Sequence, residues 1–97
     1  LIIEWDDGAN YTIKLSDGTI VGLIGYQNGP TLEVGPNGCN LITVLETIIS
    51  QMEMWQSSPF STREGAIALT HLQDARHWMQ ARDRDRVRRN VAGVLEK

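Results

Sequence analysis

Six arginines fall between Arg76 and Arg89, and two pairs of them, Arg82 with Arg86 and Arg84 with Arg88, stand four residues apart. On a helix that spacing sets both guanidinium groups on one side, about one turn apart. A guanidinium fork holds a phosphate through two parallel N–H donors, so such a pair suits a diphosphate. The run also reads as a solvated helix that pairs with itself: Asp85 and Arg89 form an i,i+4 pair, and Asp83 stands within reach of Arg86. Trp78 shares the Arg82 stripe. Trp55, Phe60 and Trp78 are the large aromatics of this half of the chain. Each suits a core, but Trp55 ends an apolar periodic segment just before a loop, where an aromatic ring can stack a base.

The other reactive residue types carry less. His71, His77 and Cys39 lack any metal-ligand spacing. His71 lies four residues after Ile67 and seven before Trp78, on one helical face, which suits a packed or interfacial histidine. Ser57, Ser58 and Ser61 belong to no nucleophile motif. Gly25, Gly29, Gly35 and Gly38 match neither the Walker spacing nor the dinucleotide fingerprint and serve turns. No carboxylate pair stands out for acid–base work, so the chain is expected not to be an enzyme, and no cofactor or metal is expected.

The 97 residues carry a net charge of −3, with 22% charged and 41% hydrophobic residues, an ordinary balance for one small globular domain. The charge is unevenly placed. Residues 1–60 hold seven acids against Lys14 alone, and residues 61–97 hold eight bases against five acids. An acidic first half argues against binding to DNA or RNA polymers, which want a broad basic surface. The basic second half points to a focused anion site. The single Cys39 rules out an internal disulfide and suits a reducing compartment. No apolar run approaches the roughly 20 residues of a membrane span. The chain begins at Leu1 rather than Met, which reads as a trimmed start and leaves room for a lost leader.

The elements that must position these residues follow from turn signals and periodicity. Asp6-Asp7-Gly8, Ser16-Asp17-Gly18, Asn28-Gly29-Pro30 and Pro36-Asn37-Gly38 separate short runs rich in β-branched and aromatic residues: Leu1–Trp5, Tyr11–Leu15, Thr19–Tyr26 and Thr31–Val34. They predict an antiparallel meander of about four strands, with Gly22 and Gly25 marking a bulge or a frayed strand. After Asn40, a plausible N-cap, the period becomes helical: Leu41, Leu45, Ile48, Met52 and Trp55 form a stripe with Ile42 and Ile49 beside it, ending before Ser57-Ser58-Pro59. Ser61-Thr62-Arg63-Glu64 has a capping-box pattern with Ser61 at the cap. Ala68, Leu72, Ala75 and Met79, with Leu69 alongside, predict a second helix of about 30 residues, packed as a hairpin on the first. The fold class is α+β: one domain over 1–97, with a β-sheet part over 1–38 and a helical-hairpin part over 39–97. Two apolar-striped helices and three tryptophans exceed what one modest core needs, so a homo-oligomer is expected.

Gln27-Asn28-Gly29-Pro30, the segment Trp55–Phe60 and above all Arg63-Glu64-Gly65-Ala66-Ile67-Ala68-Leu69-Thr70-His71-Leu72-Gln73-Asp74-Ala75-Arg76-His77-Trp78-Met79, followed by Arg82 and Arg86, carry a resemblance. From Gly25 to Gly93 the chain resembles the phage anti-Thoeris signal sponges, which share a helical hairpin with the phage anti-CBASS cyclic-nucleotide sponges. The resemblance implies a β-sheet followed by a helical hairpin, and function without turnover. A glycocyclic ADP-ribose signal made by TIR-domain proteins would be sequestered in the cytoplasm of the infected bacterial host. It also implies dimers, or hexamers that hold cyclic oligonucleotides at further sites. By position, Trp55 is the aromatic that stacks adenine, and Arg63, Arg82 and Arg86 are ligand-binding arginines. Gly65 stands where the family commonly has an Asn that hydrogen-bonds the ligand. Two other classes compete: a signal-degrading phosphodiesterase, and an oligomeric adaptor with no small ligand.

Overall fold

The computed structural model describes residues 1–6 and 8–94; Asp7 of the first turn and positions 95–97 lie outside the described residues. The chain divides into two compact units, one holding residues 1–40 with Gly93 and Val94, the other residues 41–92.

The first unit is an antiparallel sheet of three strands, β1 (Ile2–Trp5), β2 (Asn10–Lys14) and β3 (Ile20–Gly25), in that order across the sheet. The Asp6 carboxylate closes the first turn, accepting from Gly8 N at 3.0 Å and from Asn10 Nδ2 at 2.8 Å. These bonds, the Asn10 side chain foremost, hold its pKa below the ordinary value. Asp17 plays the same part in the second turn, accepting from Thr19 N at 2.9 Å. The register slips between Ile13 and Lys14, which face Gly22 and Ile20, so Val21 is the extra residue of the bulge that the glycines signalled.

The expected fourth strand, Thr31–Val34, is instead one turn of helix, α1. Its residues suit a strand by type, but their surroundings decide otherwise. Gly29 and Gly35, with φ of 89° and 77°, turn the backbone at both ends. The Pro30 carbonyl accepts from Glu33 N and Val34 N at 3.0 and 2.9 Å. The Gln27 side chain then ties the loop together. It donates to the carbonyls of Gly29 and Gly35 at 3.1 and 2.9 Å and accepts from Asn37 N at 2.9 Å. Just past β3, an isolated parallel bridge joins Tyr26 to Cys39.

The second unit is the helical hairpin, α2 (Leu41–Gln56) folded back on α3 (Arg63–Arg88). Among the described residues Ile49, 1% exposed, is the fully buried hydrophobic side chain of its core. Ile42, Leu45 and Met52 of α2 and Leu69, Leu72 and Met79 of α3 are half-buried. Arg76 shares that half-buried α3 face, its Nη1 donating to Glu46 Oε2 at 3.1 Å. The α3 stripe is therefore rotated from the expected one: Ala68 and Ala75 are exposed, and Arg76 takes the packing position. The N-cap is Thr62, not Ser61; its Oγ1 accepts from Gly65 N at 2.9 Å, so Glu64 is not the third residue of a capping box. α3 runs 26 residues rather than about 30. It ends where Asn90 adopts φ of 59°, with Val91 N bonded to the Arg86 carbonyl and Asn90 N to the Val87 carbonyl, both at 3.0 Å. That is the bonding pattern of a Schellman stop, with Asn supplying the left-handed residue.

Candidate functional site

The expected ligand-binding residues all lie on the helical hairpin, in two separate groups. Trp55 is the penultimate residue of α2 and 53% exposed. Arg63 opens α3 and is exposed; Gly65, in the same first turn, is half-buried. The six-residue connection between the helices is held by Gln56. Its Nε2 donates to the Thr62 carbonyl at 2.9 Å and its Oε1 accepts from Thr62 N at 3.2 Å. Phe60, at the tip of the connection, is exposed.

The second group lies at the far end of α3. At 1.5 Å of rise per residue, Gly65 is about 25 Å from Arg82 and about 30 Å from Arg86 along the helix. One chain therefore does not bring the aromatic end and the arginine end together.

The arginine run sorts by partner. Arg76 is committed to Glu46. Arg88 and Arg89 close on the Asp85 carboxylate at 2.6 and 2.9 Å, and the Arg88 hydrogen bond is the largest cause of the lowered Asp85 pKa. The Asp85–Arg89 pair is the expected one. Asp83 pairs with Arg82 instead of Arg86, at a long 3.6 Å and well exposed, a contact of little energetic weight. Arg86 is half-buried, and its Nη2 donates to the Val91 carbonyl at 3.1 Å, so it helps seal the C-terminus of α3 as well as standing one turn beyond Arg82. Arg84 lines a shallow open depression with Ala81, Asp85 and Arg88.

One face of α3 joins the two ends. Arg63, Ile67, His71, Ala75, Trp78 and Arg82 recur at helical spacing, and every one of them is exposed, Trp78 at 70%. Leu41, Ile48 and Trp55, seven apart on α2, are likewise uncovered. The hairpin thus shows apolar stretches between arginine-bearing ends. His77 meets Trp78 edge-on, with ring centroids 5.2 Å apart. Among the described residues no group of three or more His, Cys, Asp or Glu is arranged to hold a metal ion, and no helix is long and apolar enough to cross a membrane.

Gln56 is the one member of this neighbourhood that sequence reasoning passed over. A glutamine at a helix end carries no motif; its significance comes from what it touches.

Residues 19–82 match the model of the Acb2/Tad1 hairpin domain. That segment covers β3, α1, α2 and α3 as far as Arg82, and it stops short of Arg86. The chain is also similar to Thoeris anti-defense 1 of Bacillus phage SBSphiJ7, with 35% identity over 74 residues, or 76% of this chain. It spans about half the length of that relative, 52%. With the match covering most of both helices and the Trp55, Arg63 and Arg82 positions, the chain belongs to the anti-Thoeris family that carries the Acb2/Tad1 hairpin domain.

Proposed function

We propose that this chain is a phage anti-defence protein that binds a cyclic ADP-ribose-type signal, glycocyclic ADP-ribose, and sequesters it without cleaving it. In the cytoplasm of the infected bacterium, the Thoeris effector would then go unactivated. The site is composite: Trp55, Arg63 and the first turn of α3 come from one protomer, Arg82 and Arg86 from its partner.

The observation that carries this reading is the roughly 25–30 Å along α3 between the two groups, bridged by one exposed and largely apolar face. Two hairpins packed antiparallel about the middle of α3, near Ala75, would bring Arg63 of one chain beside Arg86 of the other. Ile67 would then lie against Arg82, and His71 against Trp78. The apolar middle supplies the drive for association. The ends bring like charges together, which is unfavourable until an anion lies between them. A diphosphate answers that need with charge-assisted hydrogen bonds to guanidinium forks, and the adenine finds the indole face of Trp55. Hexamers built from such dimers, holding cyclic oligonucleotides at a further site, extend the same proposal.

The test is calorimetry with glycocyclic ADP-ribose, followed by heat denaturation and chromatography of the released ligand. Stoichiometric binding and recovery of intact ligand are expected. Degraded ligand would make the chain a phosphodiesterase, and no heat of binding with any cyclic nucleotide would leave the adaptor reading.

A further inference from the structure

The first turn of α3 holds a polar group that belongs to α2. Gly65 has no side chain, and the space before it is occupied. A Cβ on Gly65 would lie 2.5 Å from Gln56 Oε1, 3.2 Å from Gln56 Cδ and 2.9 Å from Thr62 Oγ1. The approaches to Gln56 Oε1 and Thr62 Oγ1 are closer than a real Cβ tolerates, and that to Gln56 Cδ is tight. A side chain at position 65 and the Gln56 carboxamide in its observed place exclude one another.

The carboxamide is held there by two bonds to the backbone of one residue: its Nε2 donates to the Thr62 carbonyl and its Oε1 accepts from Thr62 N. A primary amide carries two N–H donors and two acceptor lone pairs. The clasp uses one of each, leaving one donor and one lone pair on a group already immobilised beside Trp55 and the Arg63 turn. An immobilised amide binds at little entropic cost, because its rotamer has been fixed by folding. Its neutral donor–acceptor pair matches ribose hydroxyls and not phosphates, which the arginines serve.

We infer that Gln56 is the specificity-determining polar contact of the site, reading the ribose face of the bound cyclic nucleotide in the place where a residue-65 side chain would otherwise stand. This rests on the composite nucleotide site proposed above. It makes discrimination between isomers that differ in the ribose linkage a property of α2, through Gln56, rather than of α3.

The experiment measures affinity by calorimetry for two linkage isomers of glycocyclic ADP-ribose and for linear ADP-ribose, with melting curves for each variant. Gln56→Leu removes the amide at similar volume. Loss of one buried polar contact should weaken the preferred isomer about tenfold and leave the other isomer and ADP-ribose nearly unchanged. Gly65→Ala should act in the same way by displacing the carboxamide. Gly65→Asn combined with Gln56→Ala moves an amide across the gap and should restore affinity relative to Gln56→Leu. A merely structural clasp would lower the melting temperature of Gln56→Leu and weaken all three ligands alike, and that result overturns the inference while leaving the site in place. Unchanged affinities and an unchanged isomer ratio overturn it as well. Absence of binding by the wild-type chain would overturn the nucleotide reading, and the role of Gln56 with it.

Discussion

A site divided between protomers makes a demand that no single-chain site makes: two inactive variants should restore one another. Trp55→Ala removes the stacking face, worth roughly 1–3 kcal/mol for a base on an aromatic ring, or about 5- to 150-fold in affinity. Arg82→Ala removes a charge-assisted contact of about 1.5–3 kcal/mol, a loss of similar size. Arg82 is exposed and its ion pair with Asp83 is a long 3.6 Å, so its loss should leave the fold alone. If Trp55 of one chain works with Arg82 of the other, a dimer of the two variants contains one intact site and one doubly broken site. Statistical exchange in an equal mixture makes half the dimers mixed, so about one quarter of all sites should bind with wild-type affinity. Calorimetry on the mixture, after exchange by mild warming, should show a tight transition of about one quarter of the wild-type stoichiometry. A Trp55→Ala, Arg82→Ala double variant mixed with wild type is the control; its mixed dimers carry one substitution in each site, so exchange should lower its tight sites from one half to about one quarter, whereas exchange between the single variants should raise theirs from none to about one quarter. If the single-variant mixture has no tight sites although light scattering shows that subunits have exchanged, the two groups do not form one site across an interface.

Three further outcomes follow. The chain should scatter as a dimer or larger particle at micromolar concentration rather than as the 10.9 kDa monomer, and a monomer there would mean that the exposed Trp78 face has no partner chain. Leu72→Asp should unfold or dissociate the protein, because Leu72 is half-buried on the packing face of α3 and a carboxylate there loses the apolar packing and competes with Glu46 for Arg76 one turn on; an unchanged melting curve and size would show that face to be misplaced. Arg86→Ala should lower stability by about 1 kcal/mol through loss of the bond to the Val91 carbonyl, whereas Arg82→Ala should change it by less than about 0.5 kcal/mol; equal effects in denaturant titration would remove the second role assigned to Arg86.

How far the chain could be read before its structure depended on whether local residues decide each element. The three strands and the start and stop of α2 follow from turns and proline, and they stand where expected. Thr31–Val34 is decided from outside: Pro30, two glycines with positive φ and a glutamine side chain bonded eight residues away make a helical turn from strand-forming residues. Ser61 and Thr62 offer the same hydroxyl one residue apart, and only the geometry of the Gly65 N–H chooses between them. Counting apolar residues along α3 favoured Ala68 and Ala75. Alanines give a stripe little direction, and the actual face includes Arg76, half-buried with its head on Glu46. Trp55, at the end of α2, is exposed, as its place before a loop implies. The commitment of Arg86 to a helix terminus and the clasp of Gln56 are contacts, and no residue spacing announces them.

A binder that disarms a signal without destroying it must hold the signal as long as the effector is present, so its dissociation rate matters more than its association rate. A cleft on one small hairpin is poorly suited to that, since a ligand there keeps much of its surface in water. A site closed by two chains covers both faces of the nucleotide. It also couples release to separation or opening of an interface whose middle is apolar. The arginines at the ends add a second coupling. In an empty dimer of the proposed kind they would repel; in a filled one a diphosphate would join them, so ligand and subunits would stabilise one another by the same free energy. On this view the uncovered apolar face of α3 and the arginines at its two ends are parts of one device. In the proposed site the long helix would be the spacer that keeps the two halves apart in each chain, so that only a pair of chains could complete it.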